Sequence, residues 1–315
     1  MIGEPIFTSL TAMPDPLLQR LAVGLPASSS GSPRQLAWWD WPCADPDSRQ
    51  VVVCAHGLSR QGRDFDALAR ALQPRCRVVA FDAAGRGHSD RLADPMGYQL
   101  PTYAADAALL LSELRRQQHD ARIDWVGTSM GGLIGMALAA QPALAIGRLV
   151  LNDVGPIIQL EALQRIGTYL GQAPSFDSEQ QAVDYLASIS QGFGPHSPDQ
   201  WRALSLPMLR ERDGRWHLHY DPALAQPVKS LLQSPNPEEA VRQGEAALWQ
   251  LFDAIRCPTL LLRGAQSDLL SEATVAQMQS RGPRPSCVRF DGVGHAPTLV
   301  ADDQIAAVRD FLWAA

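Results

Sequence analysis

Short apolar runs set the rhythm of this chain. Val51-Val52-Val53-Cys54-Ala55, Arg77-Val78-Val79-Ala80-Phe81, Ile123-Asp124-Trp125-Val126, Arg148-Leu149-Val150-Leu151 and Pro258-Thr259-Leu260-Leu261-Leu262 are too short for helices and show little polar alternation. That is the pattern of strands buried on both faces. Between them the period changes. Asp64 to Leu72 has helical spacing, and Thr102 to Gln117 reads as an amphipathic helix with Leu109, Leu110 and Leu114 on its apolar side. Met130 to about Ala140 is a helix of small and apolar residues. Gln35 to Trp41 reads as an early strand, Ser286 to Phe290 as a last strand, and Thr298 to Trp313 as a closing helix. A further helix follows Ser271, with Glu272 in its first turn. Strands alternating with helices predict an α/β fold with a parallel sheet and right-handed crossovers.

Two stretches depart from this rhythm. Residues 1–33 read as an irregular lead-in, with Pro14, Pro16 and the run Ser28 to Pro33, and with a short helix around Leu17 to Val23. From Val154 to about Asp253 no buried strand is evident. Helical pieces are expected there at Ile157–Leu170, Ser178–Gln191, Pro198–Leu204 and Glu238–Leu251, so 154–253 reads as a helical insertion into a core made of 34–153 and 254–315. Trp201, Met208, Trp216 and Trp249 are expected in the core of that insertion rather than along a pocket. No internal repeat is present.

Composition narrows the class. Hydrophobic residues are 46% and charged residues 19% of the 315, enough apolar material for one large packed domain. The net charge of −6 and the absence of a basic stripe give no footprint for nucleic acid or an anionic membrane surface. The apolar stretch from Met130 to Leu151 is interrupted by Gln141, Pro142 and Arg148, so it is a helix followed by a strand rather than a membrane span. Cys43, Cys54, Cys76, Cys257 and Cys287 match neither a metal site nor a redox pair, and free thiols together with the lack of a secretory signal pattern predict a cytoplasmic protein. No metal or organic cofactor is expected.

The chemistry gathers where strands end. His56, Asp82, Ser129 and Asp153 each follow a predicted strand, the edge of such sheets where functional groups collect. Gly127-x-Ser129-x-Gly131 sits between a strand and a helix, and suits a sharp turn that exposes a serine hydroxyl beside free helix N–H groups.

These motifs, in this order, resemble the α/β-hydrolase family. His56-Gly57 matches that family's oxyanion loop, Asp82-x-x-Gly85-x-Gly87-x-Ser89 its loop after the next strand, Gly127-Thr128-Ser129-Met130-Gly131-Gly132 its nucleophile turn, Gly264-x-x-x-Asp268 its acid loop, and Gly294-His295 its histidine loop. The match covers about residues 35–153 and 254–315, and the family places a substrate-shaping cap where the insertion falls. The resemblance implies Ser129 as nucleophile and His295 as base, with Asp268 orienting the histidine and Asp153 as the alternative acid. The backbone N–H groups of Leu58 and Met130 would hold the oxyanion. His56 is read as a structural residue of its loop, with Ser59 and Arg60 as pocket-lining candidates.

The function expected is hydrolysis of small or medium carboxylic esters through an acyl-enzyme. Serine in the turn excludes the family's dehalogenase and epoxide-hydrolase chemistry, which requires aspartate there. An enol-lactone, a carbon–carbon bond or an N-terminal proline amide are the alternative targets of the same triad, and a non-catalytic receptor is the alternative outside enzymology. Oligomeric state is open from the sequence.

Overall fold

The computed structural model describes residues 15–24 and 33–314. The first part of the chain supplies β1 (Leu17–Val23), β2 (Arg34–Trp41), β3 (Gln50–Ala55), α1 (Asp66–Leu72), β4 (Arg77–Asp82), α2 (Leu100–Gln117), β5 (Arg122–Thr128), α3 (Met130–Ala139) and β6 (Ile146–Asn152). A long excursion follows, with α4 (Leu160–Tyr169), β7 (Ser175–Phe176), α5 (Glu179–Ile189), α6 (Pro198–Ser205), β8 (Leu209–Arg212), β9 (Arg215–Leu218), α7 (Ala225–Leu232) and α8 (Pro237–Ala254). The chain returns through β10 (Thr259–Gly264), α9 (Glu272–Ser280), β11 (Ser286–Phe290) and α10 (Asp302–Trp313).

The eight-stranded sheet runs β1-β2-β4-β3-β5-β6-β10-β11. It is parallel from β4 to β11, and β1 and β2 are antiparallel additions at one edge. The apolar runs now have their reason. Val51, Val53 and Ala55 of β3 pack into the layer that holds Leu110, Leu114, Trp125 and Ile134, while Val52 and Cys54 face the opposite layer with Leu68, Leu72, Val308 and Leu312. A strand covered by helices on both faces has no place for polar residues. β6 pairs directly with β10, so the excursion of α4 to α8 leaves and re-enters between neighbouring strands.

Several expected elements change. Leu17–Val23 is a strand, not a helix: it pairs antiparallel with β2, Leu18 opposite Trp39 and Leu21 opposite Leu36. Its apolar spacing fits either form, and the partner that decides lies beyond residues 25–32; Pro14 and Ser28 to Ser32 fall outside the described residues. Leu109 is 46% exposed; the buried stripe of α2 is Tyr103, Asp106, Ala107, Leu110, Leu111 and Leu114. The excursion is not purely helical, because β7, β9 and β8 form a small antiparallel sheet. Those strands have two to four residues and largely exposed faces, so no buried run announces them. Within it Met208 and the partly buried Trp216 pack with Ala182, Val183 and Leu186. Trp249 meets Phe252 edge-on, and Trp201 stacks on Phe193. Among the described residues no helix is long and apolar enough to cross a membrane.

Candidate active site

The turn after β5 is built around absent side chains. A β-carbon on Gly127 would lie 2.2 Å from the Gly131 carbonyl oxygen, and one on Gly131 would lie 1.9 Å from that of Ala55. Strand and helix therefore meet more closely than any other residue allows. Between them Ser129 is held at φ 52, ψ −116, a left-handed backbone that costs a serine about 1–3 kcal/mol. The surrounding turn sustains it: Ser129 N–H donates to the Asn152 carbonyl, and its own carbonyl accepts from Gly132 and Leu133.

Two distant loops meet this serine. The loop after β11 carries His295, whose Nε2 lies 3.0 Å from Ser129 Oγ. Its Nδ1 lies 2.7 Å from Asp153 Oδ2. Asp153 comes directly after β6, is fully buried, and has a left-handed backbone of its own at φ 56. Its Oδ1 accepts from Gly264 N–H at 3.0 Å, and its Oδ2 also accepts from Ser267 Oγ at 2.6 Å. An acceptor-only carboxylate beside Nδ1 requires that nitrogen to carry the proton, which leaves the Nε2 lone pair for the serine hydroxyl.

Asp268, the acid expected from the sequence, does not reach His295 in the structure. It is about half exposed and pairs with Arg165 of α4. Its neighbour Ser267 points into the site instead and holds Asp153. The spacing Gly264-x-x-x-Asp268 locates a loop that borders the site through Gly264 and Ser267, while the carboxylate beside His295 comes from the loop after β6. Ser267 is invisible to sequence reasoning because a serine beside an aspartate carries no signal of its own.

The loop after β3 closes the other side. A β-carbon on Gly57 would touch that of Ser129 at 3.8 Å, so Gly57 lies against the serine turn. His56 is buried, accepts from Ala83 N–H at Nε2 (2.9 Å), and so donates from Nδ1 to the Gly57 carbonyl (2.7 Å). Burial above all, with Arg86 nearby, pushes its pKa down to about 3, so it is neutral near pH 7. The Leu58 carbonyl accepts from Arg86 Nε at 2.8 Å. Arg86 also reaches the Ala84 carbonyl at 2.6 Å and Met130 Sδ at 3.4 Å, and lies over the Tyr103 ring. One buried guanidinium thus braces both residues expected to supply oxyanion N–H groups. Met130 opens α3, so its N–H has no carbonyl within its own helix to reach. Ser59 is half-buried in the same turn. Arg60 makes a bidentate pair with Asp64 at 2.6 and 2.7 Å and donates to the Leu204 carbonyl of α6 at 2.9 Å.

Asp82 supports the loop that follows β4. Its Oδ1 accepts from Gly62 N–H and its Oδ2 from His88 N–H, at 2.7 and 2.8 Å. Burial pushes its carboxyl up to about 6 despite those donors. Among the described residues no group of three His, Cys, Asp or Glu is placed to hold a metal ion.

Residues 52–308 match the model of the alpha/beta hydrolase family. A 3-hydroxybutyrate-oligomer hydrolase from Cupriavidus necator is 47% identical over 88% of this chain and 92% of its own length. A 2-(acetamidomethylene)succinate hydrolase from Mesorhizobium japonicum is 26% identical over 84% of this chain and 88% of its own. Among solved structures, an alpha/beta hydrolase from Novosphingobium aromaticivorans superposes with a TM-score of 0.78 at 34% identity, covering 95% of this chain and 99% of that one.

Proposed function

The chain belongs to the α/β-hydrolase family, and from that premise we propose that it cleaves carboxylic esters through an acyl-enzyme on Ser129. The observation that carries the reading is the file Ser129 Oγ, His295 Nε2, His295 Nδ1, Asp153 Oδ2, with contacts of 3.0 and 2.7 Å. Nε2 takes the hydroxyl proton as Oγ attacks the acyl carbon. The N–H groups of Leu58 and Met130 receive the oxyanion, and Asp153 steadies the imidazolium. Collapse expels the alcohol, which leaves with the proton from Nε2, and water then releases the acid by the same steps. The excursion of α4 to α8 is the cap over this site.

The substrate we infer is an oligomer of a small hydroxy acid such as 3-hydroxybutyrate, the class named for the 47% identical relative. Five free cysteines favour a reducing compartment, and the cytoplasm is the proposed location.

The test is turnover of 3-hydroxybutyrate dimer and trimer beside 4-nitrophenyl butyrate. Ser129→Ala should abolish hydrolysis of all three; full activity in that variant refutes the mechanism. Asp153→Asn should lower kcat by about 10⁴-fold, since it leaves the imidazole in the wrong tautomer. Asp268→Asn should stay close to wild type. The reverse order would return the acid to Asp268.

A further inference from the structure

A cavity of about 570 Å³ lies apart from Ser129, Asp153 and His295, none of which lines it. Its walls are the loop after β4, the hairpin β8–β9, and β1 at the sheet edge. Four arginines face it: Arg20, Arg91, Arg210 and Arg212. In a chain with net charge −6 this concentration runs against the overall balance. The hairpin builds it by alternation. Arg210 and Arg212 stand two apart on β8 and so share a face, and Arg210 sits opposite His217 of β9. Glu211 falls on the other face.

Little within the protein answers this charge. Among the described residues Asp90 is the one carboxylate on the wall, and its Oδ2 already accepts from Gln35 N–H at 2.7 Å. Arg20 donates to the His88 carbonyl, and Arg91 approaches Asp221 at no better than 3.8 Å. Among the described residues no ion pair involves Arg210 or Arg212. Of the three imidazoles on the wall, His88 and His219 are kept below their usual pKa, by burial first and then by Arg210; His219 falls to about 4. They are neutral near pH 7, so the wall's positive charge is that of the arginines, and His219 already donates to the Pro207 carbonyl.

We propose that this cavity is a binding site for a small-molecule oxyanion, a carboxylate or phosphate group held by Arg210 and Arg212 from the hairpin and by Arg20 and Arg91 from the core. Guanidinium forks pair with planar oxyanions through two parallel hydrogen bonds, and close like charges gain most from such a ligand. The site spans core and excursion, so a bound anion ties one to the other.

The experiment is calorimetric titration of the full chain with glutarate and with inorganic phosphate at low ionic strength. At least one should bind, more weakly as salt rises. Arg210→Gln/Arg212→Gln should weaken that binding about tenfold or more, and Arg20→Gln, a change on a different element, should weaken it too. Absence of binding by both anions, or equal binding by the double variant, overturns the proposal. Two sources of the anion are separated by comparing 4-nitrophenyl hydrogen glutarate with 4-nitrophenyl butyrate. If the site reads the substrate's own carboxylate, the double variant lowers the ratio of kcat/KM for acidic over neutral ester about tenfold. If it holds a separate molecule, that ratio stays fixed while anion binding is lost. The titration is repeated on Ser129→Ala, so a failure of the hydrolytic reading leaves the binding result standing.

Discussion

At Asp153 three donors converge on one buried carboxylate, and Ser267 is the only one that comes from a side chain other than the proposed base. Removing that hydroxyl should let the carboxylate turn. Ser267→Ala is expected to lower kcat about tenfold with little change in KM, from the loss of one charge-assisted hydrogen bond worth about 1.5 kcal/mol; steady-state kinetics on 4-nitrophenyl butyrate reads it. His56 bears on stability instead. Folded, its pKa is about 3; unfolded, it returns to about 6.5. The unfolded chain therefore binds the extra proton, and stability falls on the order of 1 kcal/mol per unit as pH drops from about 6.5 toward 3. Asp82 works in the opposite sense: raised to about 6 from 3.8, it favours the folded chain as pH falls through that window. In His56→Asn the second effect should remain without the first. Urea midpoints between pH 6.5 and 5 should then decline less on acidification than in wild type; parallel curves would refute the assignment.

Elements are legible in proportion to burial. β3, β4, β5, β6 and β10 declare themselves because each is covered on both faces, and a short continuous apolar run suits little else. β1 and the hairpin β8–β9 stay hidden because their identity rests on a partner strand rather than on local pattern. The site follows the same division. The serine turn, the histidine loop and the loop after β3 each carry a glycine-marked signature. The carboxylate beside the histidine could be Asp153 after β6 or Asp268 after β10; both follow buried strands, and no local signal says which one reaches His295. The strand-to-helix junction tolerates nothing larger than glycine, so Gly131→Ala is expected to destabilise by more than about 4 kcal/mol or prevent folding, read as loss of the thermal transition. Arg86 is the brace behind the loop and α3 together. Arg86→Met keeps length and apolar contact but loses the grip on Leu58, so kcat should fall more than KM changes.

Across the whole molecule, the excursion is fastened to the loops that carry the site. Gly294 N–H donates to the Gly192 carbonyl at 2.7 Å, next to His295 itself. His196 meets Thr298 Oγ1 at 2.8 Å, and Tyr98 donates to Asp221 Oδ2 at 2.6 Å. A change at these contact residues is therefore expected to reach the histidine loop. His196→Ala should lower kcat several-fold and speed amide hydrogen exchange around residues 292–298; unchanged exchange there would show the contact to be idle.

The chain enters its long excursion on the residue immediately after β6, the same residue that answers His295. Anyone recombining this scaffold with relatives inherits a constraint from that coincidence. A donor segment grafted from position 153 onward would bring its own residue into the proposed triad, whereas a joint placed after Pro156 would exchange the excursion and leave the proposed chemistry with the host. Asp268, by contrast, stands at the surface, where it pairs with Arg165 of the excursion.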